Sequence, residues 1–164
     1  MPKTLSGAQW LELAQRMIVS WGAPEDIAEC VARSLVDADL AGIGSHGVLR
    51  LETYHSFVAS GWLKPAERPV IVKESQAMAI VDGCWGFGQP AMYKALEVGL
   101  AKSHGGVAAV GIQHCGHVGR LGEYAEWAAA KGIIAIIMAS GGRNGGVVAP
   151  FGGAERVLST NPIA

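Results

Sequence analysis

The chain is short of charge, short of cysteine and without any long apolar run, and each shortage removes a class of function. Charged residues make up 16% of the 164 and nearly cancel, leaving a formal net charge of -1. Nucleic acid and anionic membrane surfaces are bound through clustered excess Lys and Arg, so neither is an expected partner. The three cysteines, Cys30, Cys84 and Cys115, are odd in number and far below the density of a secreted disulfide scaffold. Free thiols in a reducing compartment, the cytoplasm, are the expectation. No apolar run is long enough to span a bilayer, and residues 1–21 read as an amphipathic pattern rather than a signal peptide or anchor.

What is present is half hydrophobic and glycine-rich, with 23 glycines. The first third reads as helices. Trp10, Leu11, Leu13, Ala14, Met17, Ile18 and Trp21 follow a helical period after a cap at Thr4 or Ser6, with Gly22 as the stop. Pro24 suits the first turn of a second helix, with Glu25 and Asp26 at its positive end and Ile27, Val31, Leu35 and Val36 as its buried stripe up to Gly42. A third helix is expected from near Ser45 to Gly61.

The texture then changes, because Pro65 and Pro69 break helix and two short apolar runs, residues 70–72 and 78–81, read as strands around a polar turn. A boundary near residue 70 separates a helical region, 1–69, from the remainder, 70–164. Pro90 opens an alanine-containing helix that ends at Gly105-Gly106. Strand 107–112, helix 121–131, strand 133–139 and a glycine-rich loop, 141–146, follow. This alternation argues for a layered α/β domain, its short apolar strands suiting a sheet covered on both faces. Another strand is expected to begin at Ser159 to Ala164, so the α/β part reads as incomplete.

Two stretches carry candidate chemistry. In Ser45-His46-Gly47-Val48-Leu49-Arg50, a single helix places His46, Arg50 and Tyr54 on one face, where they can converge on a small anion with a proton to move. A histidine in a helix's first turn feels the positive end of the dipole and stays neutral. The competing reading is a Ser45 cap with His46 in a surface notch. In His114-Cys115-Gly116-His117-Val118-Gly119-Arg120, between a strand and a helix, three readings compete: a phosphate loop, a metal site and a cofactor-side catalytic histidine.

Gly111 and Gly116 have P-loop spacing, yet His117-Val118 stands where Lys and Ser/Thr are required, which argues against ATP. His114, Cys115 and His117 offer metal ligands without the second pair that a zinc site needs, so no metal is expected. Cys115 beside histidines is a candidate reactive thiol, ranked below a simple buried cysteine. The dinucleotide fingerprint G-x-G-x-x-G is absent, and Gly116-x-x-Gly119-x-x-Gly122 and the glycines of residues 141–146 are looser.

Taken in order, five segments resemble the malate/L-lactate dehydrogenase family that is unrelated in fold to the Rossmann enzymes. They are Asp39 through Tyr54, Val81-Asp82-Gly83 with Gly86-Phe87-Gly88-Gln89, His117-Val118-Gly119 with Gly122-Glu123-Tyr124-Ala125, Val148 through Gly153, and Thr160 through Ala164. Ureidoglycolate, sulfolactate, diketogulonate and cyclic imino acid reductases are relatives of that family. The resemblance implies a helical N-terminal part followed by a nonclassical, non-Rossmann nicotinamide-binding α/β domain. It also implies NAD- or NADP-dependent interconversion of a small 2-oxo acid and its 2-hydroxy acid by a homo-oligomer, a dimer.

By that match Ser45 and His46 form a proton-relay pair, and His117 is the loop histidine that some members use for acid/base catalysis. Arg50 contacts the substrate carboxylate or the cofactor, and Tyr54, which the helical spacing sets on the same face, is counted with it on the substrate side. His117, Val118, Gly119, Arg120, Leu121 and Thr160 lie on the cofactor side. The chemistry suits the residues: negative charge built on a keto oxygen needs an imidazole proton, and a guanidinium holds a carboxylate by paired hydrogen bonds. Either His46 or His117 is the donor. Gln113-His114-Cys115-Gly116 stands where the family commonly has N-S-N-H up to the loop histidine, and members run to about twice this length, in more than one structural unit. The alternative is a catalytically silent fragment that serves as an oligomerisation or binding module.

Overall fold

A computed structural model describes residues 4–104, 106–141 and 146–164. Gly105 of the expected helix stop and residues 142–145 of the expected glycine-rich loop lie outside these. The first helix, α1 (Gly7–Ser20), begins with a capping box, in which Ser6 accepts from the Gln9 backbone and Gln9 reaches back to the Ser6 N–H. Gly22, at φ +98, makes the turn into α2 (Glu25–Leu40), whose N-cap is Pro24. Ala14 and Ile18 of α1 meet Ile27, Ala28, Val31 and Leu35 of α2 in the main core, joined by Leu51, Tyr54, Leu63 and Phe87. Each large side chain buried there contributes about 1.5–3 kcal/mol.

The third helix differs from expectation. Residues Gly44–His46 form a 3-10 turn, and α3 (Arg50–Ala59) starts only at Arg50. The reason is Asp39, whose Oδ2 accepts from the Val48 N–H at 2.8 Å. The turn closes so tightly over this carboxylate that a Cβ at Gly47 would lie 1.9 Å from Asp39 Oδ1. A carboxylate-to-amide bond reaching nine residues along the chain thus takes the place of continuous helix. His46 and Arg50 therefore do not share a helical face.

Three strands form a mixed sheet in the order β1-β2-β3: β1 (Val70–Glu74), β2 (Met78–Asp82) and β3 (Ala109–Gln113). The pair β1–β2 is antiparallel with an irregularity between Ile71 and Lys73, and β2–β3 is parallel with Asp82 opposite Gln113. Helix α4 (Gly88–Lys102) connects β2 to β3 and packs on both. Contrary to the expectation of two covered faces, all of β1 is exposed, as are Met78 and Ile80 of β2.

By its contacts the chain gathers into two compact units, Met1–Arg120 and Leu121–Ala164. The second holds α5 (Leu121–Ala129). Its apolar stretch 133–139 is not a strand element; it makes an isolated antiparallel bridge, Met138 to Ile163, with Ile137 and Ala164 exchanging both backbone hydrogen bonds.

Candidate functional site

In the unit Met1–Arg120, three loops meet: the 3-10 turn with the start of α3, the β2–α4 loop, and the segment after β3. Their closeness demands glycine. A Cβ on Gly88 would come within 2.5 Å of the backbone oxygens of both Gly116 and His117, and one on Gly83 within 2.5 Å of the Cys115 Cβ. Gly116 N–H donates to Gly86 O at 2.8 Å, which zips the two loops together.

This packing brings His117 beside the turn residues. The His46 and His117 ring centroids are 5.3 Å apart, with the planes at 31°. Ser45 Oγ lies 2.9 Å from His46 Nδ1, and Arg50 Nε donates to Ser45 O at 2.6 Å. His117 Nδ1 is 2.9 Å from the hydroxyl of Tyr54, a buried residue of α3, and accepts from the Gly119 N–H at 3.3 Å. Gln89, fully buried in the first turn of α4, donates from Nε2 to the same hydroxyl at 2.9 Å. Each imidazole thus has its Nδ1 engaged, and among the described residues neither Nε2 nor the terminal nitrogens of Arg50 have a protein partner.

The electrostatics favour neutral rings. Burial, then the charge on Arg50, lowers the His46 pKa. Burial, then Arg50 and then His46, brings His117 down to about 4. The cause for His46 is not the helix dipole expected from sequence, because His46 is not in an α-helix.

His114 belongs to a different neighbourhood. Its Nδ1 lies 2.8 Å from Asp82 Oδ2 and its ring stacks on Trp85, centroids 5.1 Å apart. Asp82 also accepts from Gln113 Nε2 and from the Cys84 N–H. These bonds, Gln113 first and His114 second, lower its carboxyl to about 2. Cys84, Trp85 and His114 all have positive φ, 53, 61 and 49, a backbone cost carried where the two loops cross. His114, Cys115 and His117 do not converge, and no cluster of three metal-ligating side chains is found among the described residues. Burial, then Asp82, pushes the Cys115 thiol up to about 11, which removes the reactive-thiol reading.

Of the other expected residues, Val118 and Arg120 follow His117 and are half-buried, and Gly119 is buried with φ +79. Leu121 opens α5, and Thr160 is exposed near the chain's end, both in the second unit. Sequence reasoning assigned nothing to Gln89 or Asp39. A lone glutamine in the first turn of an otherwise apolar helix, and an aspartate eight residues before a glycine, are signals too common to single out.

Residues 5–164 match the family described as malate/L-lactate dehydrogenase. The chain belongs to that family. It is 41% identical over 150 residues to a malate dehydrogenase of Pyrococcus abyssi, covering 91% of this chain and 41% of that protein. It is 38% identical over 149 residues to an L-sulfolactate dehydrogenase of Methanocaldococcus jannaschii, covering 90% and 42%. Against a Δ1-pyrroline-2-carboxylate/Δ1-piperideine-2-carboxylate reductase of Pseudomonas syringae pv. tomato, identity is 32% over 163 residues, covering 99% and 47%. In structure it is similar to the malate dehydrogenase of Pyrococcus horikoshii OT3, with TM-score 0.91 and 35% identity over 99% of this chain and 46% of that one. The chain therefore spans less than half the length of these relatives. No helix of the described residues is long and apolar enough to cross a membrane.

Proposed function

We propose that this chain carries the proton-transfer and carboxylate-binding residues of an NAD- or NADP-dependent oxidoreductase that interconverts a small 2-oxo acid and its 2-hydroxy acid. The observation that carries the reading is the pair of imidazoles, 5.3 Å apart and both held toward the neutral form, beside a guanidinium whose terminal nitrogens have no hydrogen-bond partner among the described residues. Such a site binds an anion and moves a proton, but none of its groups can accept or give a hydride. A nicotinamide supplies that hydride when bound, and the donor set fits such a group because it provides the complementary proton and nothing redox-active of its own.

In the proposed mechanism Arg50 holds the substrate carboxylate by two parallel hydrogen bonds. An Nε2–H of His46 or His117 meets the keto oxygen and meets its growing negative charge with a proton. Ser45, exposed and bonded to His46 Nδ1, links that ring to solvent, so His46 can be reprotonated without opening the site. Tyr54, expected on the substrate side, is buried with its hydroxyl between His117 and Gln89, so it serves that side through His117 rather than by touching the substrate. His117, Val118, Gly119, Arg120, Leu121 and Thr160 are assigned to the cofactor side, with 1–69 as the helical region and 70–164 as the first part of the cofactor-binding domain. Cytoplasmic placement and a homodimer complete the reading.

The test follows NADH and NADPH absorbance with a panel of small keto acids, using the 164-residue chain alone and complemented by the C-terminal half of a relative. Keto acid-dependent loss of absorbance that disappears in His46→Ala/His117→Ala supports the reading; no loss with any substrate, or an unchanged rate in that double variant, overturns it. The exposed apolar residues Val70, Ile71, Val72, Met78 and Ile80 favour a second reading, an association module without activity. Sedimentation showing a tight oligomer that never binds NAD(P)H would select it.

A further inference from the structure

The sense of the hydrogen bonds around His117 can be read from one donor that cannot reverse. A ring nitrogen and a tyrosine hydroxyl 2.9 Å apart fit either direction: the hydroxyl donates to a bare Nδ1, or a protonated Nδ1 donates to the hydroxyl. The Gln89 amide, turned over, would suit the second arrangement as well as it suits the first. The Gly119 backbone N–H has no such freedom. It points at His117 Nδ1 from 3.3 Å, and a proton on that nitrogen would face it head-on. Nδ1 must therefore be bare. Tyr54 then donates to it at 2.9 Å, the shorter of two bonds that share the one Nδ1 lone pair with the Gly119 N–H, and the hydroxyl's own lone pairs are left to accept from Gln89 Nε2 at 2.9 Å.

We infer that Gln89, acting through Tyr54 and together with the Gly119 amide, locks His117 in the tautomer that carries its proton on Nε2, which makes Gln89 a positioning residue of the site. The surroundings are built for this. Gln89 is fully buried on the first turn of α4. Gly119 sits at φ +79, which turns its N–H toward the ring, and a Cβ there would lie 3.1 Å from Ser34 Oγ and 3.4 Å from Gln89 Nε2. A glycine is thus needed both for the backbone and for the amide's approach. Burial keeps the ring neutral, so the tautomer rather than the charge decides which nitrogen presents a proton to a ligand.

The consequence rests on the proposed function only where catalysis is concerned. If an Nε2–H at His117 meets a keto oxygen, loss of the lock leaves a fraction of molecules presenting a bare nitrogen, an acceptor facing an acceptor. The experiment measures the tautomer directly, by long-range proton–nitrogen correlation NMR on the chain labelled with nitrogen-15 histidine at pH 7. For the unsubstituted chain the expected pattern at His117 is a bare Nδ1 and a protonated Nε2, and the reverse pattern overturns the proposal without any variant.

For Gln89→Leu the expected result is a shift of the Nδ1 resonance toward the protonated position, as both tautomers become populated, and Tyr54→Phe is expected to move it the same way. An unmoved resonance in a folded Gln89→Leu chain overturns the role of Gln89. Gln89→Met, closer in shape, serves if the leucine variant does not fold. In the complemented form kcat is expected to fall about tenfold with KM little changed, the worth of one hydrogen bond. Absence of keto acid reduction alongside the expected tautomer would sink the enzymatic reading and leave the lock standing.

Discussion

Two histidines three residues apart on one loop, His114 and His117, are held in opposite ways. His114 faces a carboxylate, Asp82, and stacks on an exposed tryptophan. His117 faces a phenol hydroxyl and a backbone amide, lies largely out of water, and has a cationic guanidinium nearby. A hydroxyl and an amide in a low-dielectric pocket favour a neutral ring at His117. The neighbours, not the sequence neighbourhood, separate the two, and His117 is the one that stands beside His46 and Arg50.

The largest expected effect comes from breaking the crossing that sets His117 in place. Gly88→Ala puts a methyl against two backbone oxygens that cannot swing aside, and urea unfolding should show a loss of about 3 kcal/mol. Gly111→Ala in β3, where a Cβ meets open space, should change little, and similar losses in the two variants would mean that the close approach is not a constraint.

The next effect divides the two histidine neighbourhoods along the pH axis. His117 has a folded pKa of about 4 against an ordinary value of 6.5. The unfolded chain therefore binds a proton in that window that the folded chain refuses, and stability is full above pH 6.5 and falls as pH drops toward 4. The loss should be on the order of 2 kcal/mol, since the ring is partly open to water. His117→Gln should flatten this part of a stability–pH curve, and a curve that keeps its slope would show that the ring is not buried as described.

Asp82 works in a lower and separate window, because its folded carboxyl titrates at about 2 rather than 3.8. Its contribution is present above pH 3.8 and is lost as pH falls toward 2. Asp82→Asn should cost about 1 kcal/mol at neutral pH through weakened bonds to Gln113, His114 and the Cys84 amide. The slope between pH 6.5 and 4 should survive in that variant; its disappearance would mean that the neighbourhoods are coupled. The smallest effect concerns Cys115, which should resist iodoacetamide at pH 7.5 in the folded chain and react once unfolded. Rapid labelling of the folded chain, read by mass spectrometry, would contradict the burial that raises its thiol.

Much of this was legible beforehand. The cap, expected at Thr4 or Ser6 and found at Ser6, the stop at Gly22, the stripes of α1 and α2 and the strands β1 and β2 follow from bonds and periods that span a few residues. The run 133–139 differs because seven apolar residues look like a strand whether or not a ladder forms; among the described residues its pairing is one isolated bridge, Met138 to Ile163, with backbone bonds to Ala164 and Pro162 on either side. The single helix from Ser45 misled for a related reason. Asp39 lies six residues upstream, and its reach to the Val48 amide is a tertiary choice that no period records.

The order of motifs along the chain determined the family and the residue types of the site, because hydroxyl, imidazole and guanidinium chemistry is intrinsic to Ser45, His46, His117 and Arg50. Only the tertiary structure decided that the two imidazoles are neighbours, that both are neutral, and that Gln89 and Gly119 orient one of them. Those properties depend on distance, burial and the direction of individual N–H bonds, and these exist only once the loops around Gly88 and Gly116 have closed on each other.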